Sequence, residues 1–480
     1  MDVRSVFPET PVAAHRIYRC QDLLRVRESH SKIHLVRIGC AGSQAKKTGL
    51  SLYGRAARVN VVMVNWSDQS GGAARASFRL FQALRNIGIN VRLLVQRKQS
   101  TDRDVLGGEG LRQKAYAVLT QRMDALPLRF YRRRKTELFS TGVFPNHTRK
   151  RIQALAPDIV HLHWVAFGML PIAALSKLER PAVWTLHDMW GLTGGCHYDE
   201  GCDRFLRGCG LCPILRSEHE NDLSARLLQK KRIAIERSGI TIVSPSRWLA
   251  AQARQSVVFA GSRIEVIPNG LDLTVYKPLD QSMARSLFSL PMHKHIVLFG
   301  AASPTGERRK GYQLLVEALD QIARTYPIDE ICVVLFGQSE GIPSSLSGFP
   351  VHVIGTLHDD VSLAALYSSA DVFVVPSLQD NLPNTVAEAL ACGTPCVAFN
   401  IGGMSDLIQH RVNGYLAAPF DTTDLARGIV ELTIDRKEAG PMRQAARKTA
   451  ETMLDQEMMA KHYVALYQDL GRARSTTTVR

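Results

Sequence analysis

Side chains able to move protons, hold phosphate or bind metal gather in a few short stretches of this sequence. His161 and His163 alternate in HLHW, and His187-Asp188 closes the next apolar run. A histidine beside a carboxylate can accept a proton or orient a hydroxyl near neutral pH. A single histidine is usually a hydrogen-bonded part of a core; two such sites at the ends of neighbouring apolar runs favour chemistry. Asp380 and Glu388 stand eight positions apart around Pro383 and Asn384, which suit a helix start. Free amides at Asn384 and Thr385 can hold phosphate while Glu388 grips sugar hydroxyls; a capped helix with a surface acid would use the same residues. Arg308, Arg309 and Lys310 can neutralise a diphosphate or form an exposed basic loop. Gly71 and Gly72 let a ligand approach the backbone at a helix N-terminus, and equally suit an ordinary tight turn. Cys196, Cys202, Cys209 and Cys212 fall within seventeen residues. Four thiolates suit tetrahedral zinc, although only the pair 209 and 212 has the usual knuckle spacing. His197 can replace one ligand, and loop thiols without metal are the alternative. Four ligands leave no open position, so zinc here would be structural.

The elements that must position these residues read as parallel-sheet text. RVNVVMVNW, from Arg58, is a continuous apolar run of the kind a doubly buried strand shows. A glycine turn, an amphipathic helix ending at Gly88, and the run INVRLLVQ complete a strand–helix–strand unit. PDIVHLHW, AVWTLHD, GITIVSPS and RIEVIPNG continue the series. A second series follows near residue 294, with HIVLFGAA, ICVVLFG, VHVIGTL, DVFVVPS and TPCVAF separated by helical text. The segment VIPNGLDLTVYKP reads as the hinge between two doubly wound domains. Expected boundaries are an extension over 1–57, a first domain over 58–268 carrying the cysteine-rich loop 196–212, a second over 269–450, and a C-terminal helix and tail over 451–480. Ligands of open α/β sheets bind outside the carboxyl ends of strands, so two facing domains make one two-substrate cleft.

Composition bounds the function classes. The chain has 480 residues, 45% apolar and 22% charged, which excludes general disorder. Its longest mostly apolar stretch, Val165 to Leu175, is eleven residues and contains Pro171, well short of the ~20 a membrane-spanning helix needs. The first twenty residues have no apolar core of signal-peptide type, which points to the cytoplasm. The net charge of +16 favours anionic partners. Much of it is local: residues 112–151 hold eleven Lys/Arg and two acids. This basic, partly apolar text reads as an amphipathic helical segment able to lie on an anionic membrane surface, and equally as a solvated helix face interrupted by Pro127.

Together these pieces resemble glycosyltransferase family 4, retaining enzymes of the GT-B class that use nucleotide sugars. The resemblance covers about residues 58–472 and rests on VIPNGLDLTVYKP, RRKGYQLLVEAL and, above all, NTVAEALACGTPCVAFNIGGMSDLI followed by NGYLAAP. HDMWGLTGGCHY, the GCG-x-CP loop, VSPSRWLA and DNLPNTVAEALACGTP resemble a narrower, colanic-acid-type exopolysaccharide branch. The resemblance implies an α/β GT-B fold, two Rossmann-like domains with a C-terminal helix crossing back to the first. It implies transfer of sugar from a nucleotide-diphosphate sugar to a saccharide or lipid-linked saccharide acceptor, without a catalytic divalent metal. It places Gly72, beside Gly71, against the donor diphosphate, Lys310 on phosphate, Glu388 on ribose and Asp380 facing the donor sugar. His163 or His187 would be the strand-end histidine near the reacting centre. Asp380 is one methylene shorter than the family's Glu, and Thr305 stands where the family has Arg, a role Arg308 or Arg309 can take. These two departures are the only support for a rival reading as a non-catalytic scaffold of polysaccharide assembly. A zinc-containing nucleic-acid-binding protein is disfavoured by the lack of stacking aromatics among the basic residues and of a finger-like helix.

Overall fold

The structure is a computed structural model that describes residues 59–477 apart from 109, 301–305, 339–342 and 436–438. The expected extension over 1–57 and position 305 lie outside these residues.

Each half of the described chain is built on a seven-stranded sheet. The first contains β1 (Asn60–Ser67), β2 (Asn90–Arg97), β3 (Val105–Leu106), β4 (Ile159–Leu162), β5 (Ala182–Thr185), β6 (Thr241–Ser244) and β7 (Ile264–Val266), in the order β3-β2-β1-β4-β5-β6-β7. All its pairings are parallel. The second contains β8 (His295–Gly300), β9 (Ile331–Phe336), β10 (Ser345–Leu346), β11 (Phe349–Gly355), β12 (Val372–Val375), β13 (Cys396–Phe399) and β14 (Gly414–Ala417), ordered β10-β11-β9-β8-β12-β13-β14. Only the short edge strand β10 is antiparallel. The continuous apolar runs follow from burial on both sheet faces. Val61 to Val64 and Ile331 to Leu335 are wholly inaccessible. Strand order reverses beside β1 in the first sheet and beside β8 in the second, so both switch points lie at the ends of those central strands.

The helices used below are α1 (Gly72–Asn86), α2 (Leu111–Asp124), α3 (Leu223–Glu236), α4 (Asn384–Ala391), α5 (Ala439–Met453) and α6 (Gln456–Thr477). Helical text from Pro441 to Arg472 reads as one long element, but the structure breaks it at 454–455. The break lets the two parts serve different domains. Ala446, Ala450 and Leu454 pack in the second core, whereas Met459, Tyr463, Val464 and Tyr467 pack in the first with Val61, Met63 and Phe81. The chain therefore crosses back, as expected. The return crossing pairs with the outward one: Leu271 N–H donates to Leu454 O over 2.7 Å, and Gln456 N–H to Leu271 O over 3.0 Å.

Candidate active site

The loop after β8 ends in a short 3-10 turn, Arg308–Lys310, closed by Gly311 at φ 72°. A Cβ on Gly311 would lie 1.8 Å from Pro376 O, so only glycine lets this turn pack against the end of β12. The packing brings Lys310 Nζ to within 2.7 Å of Asp380 Oδ2 and Arg309 Nη1 to within 3.1 Å. Burial raises the Asp380 pKa, but Lys310 and Arg309 outweigh it and hold the carboxyl at about 2. Arg309 is fixed by Gln379 O at 2.8 Å and by the Tyr198 ring, 4.4 Å away. Arg308 is exposed and takes no part in this cluster.

Two helix N-termini meet beside it. Pro383 precedes α4 and no side chain caps that helix, so its first amides stay free. Gly71, at φ 92°, precedes α1, which also lacks a side-chain cap. Asn384 Nδ2 donates to Gly72 O over 3.0 Å, which joins the two termini across the domains. Gly71, Gly72, Asn384 and Thr385 are thus brought together, and an anion between them would meet two positive helix ends.

Glu388 lies one turn further into α4 and is buried. Its two oxygens accept from Arg79 Nη2 at 2.8 Å and Tyr367 Oη at 3.0 Å. Arg79 Nη2 also reaches Tyr276 Oη at 2.9 Å, while its Nη1 is buried without a partner among the described residues. Nothing in the sequence singled out Arg79, Tyr276 or Tyr367. Glu388 and Arg79 are 309 positions apart, and only the apposition of α1 with α4 pairs them.

The histidines divide by role. His161 is committed to the core, with Nδ1 2.7 Å from Tyr467 Oη and Nε2 2.8 Å from Thr185 Oγ1. His163 Nδ1 lies 3.0 Å from His187 Nε2, and His163 Nε2 is buried without a partner among the described residues. Burial lowers the His163 pKa well below the ordinary value and takes His187 to about 4, so both rings are neutral at pH 7. They stand at the cleft because Asn381 Nδ2 donates to Leu186 O at 3.1 Å and His187 O at 3.3 Å, next to Asp380. Asp188 is saturated instead: it accepts from His197 Nδ1 at 2.6 Å, Trp164 Nε1 at 2.6 Å and Trp190 N at 2.9 Å. Burial opposes its ionisation, yet these donors hold its pKa below the usual value. His197 Nε2 in turn meets Ser140 Oγ at 2.9 Å. Asp188 thus fixes the loop on which His187 sits.

The four cysteines line one small cavity together with Arg204 and Ser224. All are free thiols, and burial pushes each above the ordinary thiol range, Cys209 to about 12. Among the described residues, no group of three or more His, Cys, Asp or Glu side chains is placed to hold a metal ion. The expectation of structural zinc at Cys196, Cys202, Cys209 and Cys212 is not supported. The cavity wall that the thiols share also carries Arg204, and His197 is already taken by Asp188 and Ser140. The loop is instead anchored by Lys231 of α3, fully buried, which donates to Trp190 O and, over 3.0 Å, to Thr193 O.

Residues 70–275 match the family model "Glycosyltransferase Family 4" and residues 293–435 match "Glycosyl transferases group 1". The sucrose-phosphate synthase of Thermosynechococcus elongatus covers 87% of this chain at TM-score 0.63 and 20% identity, with all of that chain matched. This is the GT-B fold. Other GT-B likenesses are Anabaena HepE, solved with UDP-glucose (TM-score 0.54, 18% identity, 87% of this chain and 100% of that one), and WaaG, a glycosyltransferase involved in lipopolysaccharide biosynthesis (0.58, 16%, 85% and 99%). At these identities the likeness bears on fold alone. Curated relatives include D-inositol 3-phosphate glycosyltransferases of Arthrobacter sp. (32% identical over 297 residues, 60% of this chain and 65% of that protein) and Nocardia farcinica (30% over 294, 58% and 59%). The GT-B chain thus spans 65% or less of the length of these relatives.

Proposed function

We propose that this chain transfers a sugar from a nucleotide-diphosphate donor to a hydroxyl-bearing acceptor. The observation that carries the reading is the meeting of two uncapped helix N-termini, at Gly72 and Asn384, beside the Lys310–Asp380 pair. Breaking a sugar–phosphate bond leaves negative charge on the diphosphate, and fixed amide dipoles with a lysine stabilise charge there without reorganising. Lys310, Gly71, Gly72, Asn384 and Thr385 would bind the diphosphate, with Arg309 holding the turn. Positive charge growing on the sugar would face ionised Asp380. Neutral His163 and His187 suit hydrogen bonds to donor or acceptor hydroxyls, and a ribose hydroxyl would share Glu388 with Arg79 and Tyr367. The cations and amides can balance the diphosphate without a divalent metal. Attack from the leaving-group face, with retention, is the stereochemistry the family resemblance favours.

For the acceptor, the resemblance to exopolysaccharide enzymes supports a saccharide or lipid-linked saccharide. The names of the curated relatives support a phosphorylated polyol, and the two differ in whether acceptor binding needs a phosphate. Calorimetry with UDP, GDP and ADP, followed by assay of the matching glucose donors, tests the reading. One diphosphate should bind and its sugar should be transferred or slowly hydrolysed. Binding without turnover of any donor would favour the scaffold reading, and absence of nucleotide binding would refute the donor site.

A further inference from the structure

Arg79 joins the two domains at a point the donor must reach. It lies seven residues after Gly72, about 10 Å along α1, and Glu388 lies four residues after Asn384, about 6 Å along α4. The helices that meet at the proposed diphosphate site therefore meet again where the next part of a nucleotide, its ribose, would lie. Arg79 is 6% exposed and Glu388 1%. Arg79 Nη2 donates to Glu388 Oε1 at 2.8 Å and to Tyr276 Oη at 2.9 Å, and lies 3.5 Å from Asp360 Oδ1. Tyr276 Oη donates in turn to Asp360 Oδ1 at 2.8 Å, and the Tyr276 ring centre lies 5.1 Å from the guanidinium carbon. The guanidinium is thus fixed by one nitrogen, and its other terminal nitrogen, Nη1, is buried without a partner among the described residues.

Holding the domains together does not by itself explain this arrangement. Desolvation offsets most of the attraction in a buried ion pair, so well-packed apolar side chains would join α1 to α4 at least as well. What the pair supplies is a carboxylate of fixed orientation beside an unmet donor. Glu388 accepts from Arg79 on one oxygen and from Tyr367 on the other. Each carboxylate oxygen has capacity for a second hydrogen bond, and a buried N–H donor needs an acceptor. Two adjacent hydroxyls meet all three demands, because both can donate to the carboxylate while one accepts from Nη1. In a nucleotide that group is the 2′,3′-diol of ribose. We propose that Arg79 is a specificity-determining residue for the donor: with Glu388 it reads this diol, so the site selects ribonucleoside diphosphate sugars over 2′-deoxyribonucleoside ones. A deoxyribose leaves part of the pair unmet. Arg79 and Glu388 belong to different domains, so the diol enters as the domains part and is enclosed as they meet. The inference rests on the donor reading above.

Calorimetry of the full chain with UDP, GDP and ADP, and with their 2′-deoxy counterparts, tests this. The diphosphate that binds should lose affinity by about 10- to 100-fold on losing its 2′-hydroxyl, the effect of one hydrogen bond to a charged group. R79M should bring that ratio close to one while changing the affinity for the 2′-deoxy form little. A merely structural loss would weaken both forms equally and leave the ratio in place. R79K keeps a cation but cannot reach Glu388 and Tyr276 together, so it should retain only part of the ratio, and it decides the matter if R79M does not fold. A ratio near one in the unaltered chain, or a full ratio in whichever variant folds, would overturn the proposal. So would a ratio that grows in R79M, since Arg79 would then compete with ribose for Glu388. Failure of every diphosphate to bind would instead remove the donor reading, and this inference with it.

Discussion

Lys310 stands 2.7 Å from Asp380, so a diphosphate arriving there must share the ammonium with a carboxylate that is already ionised. Lys310→Ala should weaken UDP binding by about 1.5–3 kcal/mol, the worth of one charge-assisted contact, and uridine binding far less. Equal losses in calorimetry would contradict a phosphate role. Glu388→Gln should instead weaken UDP and uridine alike if that carboxylate meets the ribose. The histidines give a pH signature. His187 has a folded pKa of about 4 against roughly 6.5 in an unfolded chain. The folded state therefore binds fewer protons between these values. The stability this contributes is complete above about 6.5 and is lost as pH falls through about 4. His187→Gln should flatten part of the slope of unfolding free energy over that window. An unchanged slope in denaturant titrations would mean that the ring is not held neutral. The types of these residues were legible in the sequence, but their division of labour was not. Asp188 reads as a catalytic neighbour of His187, and only its three donors reveal an anchor.

Among the elements, the strands were the most legible, because a strand buried on both faces leaves a continuous apolar run. Strands such as β3 and β10, two residues each, leave no such run and were not readable. The 454–455 break in the tail was equally hidden, since both of its helices carry helical periodicity and only tertiary packing separates them. The second of these, α6, supplies the hydroxyl of Tyr467 to His161. Tyr467→Phe keeps the packing and removes that partner. It should cost about 1–3 kcal/mol in unfolding free energy, the penalty of a buried polar atom left unpaired. A change within error would place a water or another donor at His161. The rotation of α2 was not readable either, because the bonds from Gln96, Thr141 and Gly142 that fix it come from elsewhere in the chain.

At the scale of the whole molecule, the two domains are held by polar bonds between opposing strand-end loops and helix starts. Ser246 Oγ meets Asn381 Oδ1 at 2.5 Å, Arg247 meets Asp406 at 2.6 Å and Gln379 Nε2 meets Asp199 at 2.7 Å. Of these, Arg247–Asp406 is exposed, whereas Ser246, Asn381 and Asp199 are buried. Arg79 and Glu388 differ, since both are buried and oppositely charged, and their pairing at 2.8 Å links α1 to α4 directly. Removing one member of a buried pair strands the other, at about 3–5 kcal/mol, whereas removing both strands neither charge. Arg79→Met and Glu388→Gln should each destabilise strongly, and the double variant should be more stable than the sum of the two losses requires, by about 1–3 kcal/mol. Denaturant unfolding of the four proteins measures that coupling. If the pair also closes the cleft, Arg79→Met should raise the radius of gyration in solution scattering at pH 7, and a nucleotide diphosphate bound between the domains should reverse part of the change. Additive losses with an unchanged radius would reduce Arg79 to a local core residue and leave apposition of the domains to the other bonds.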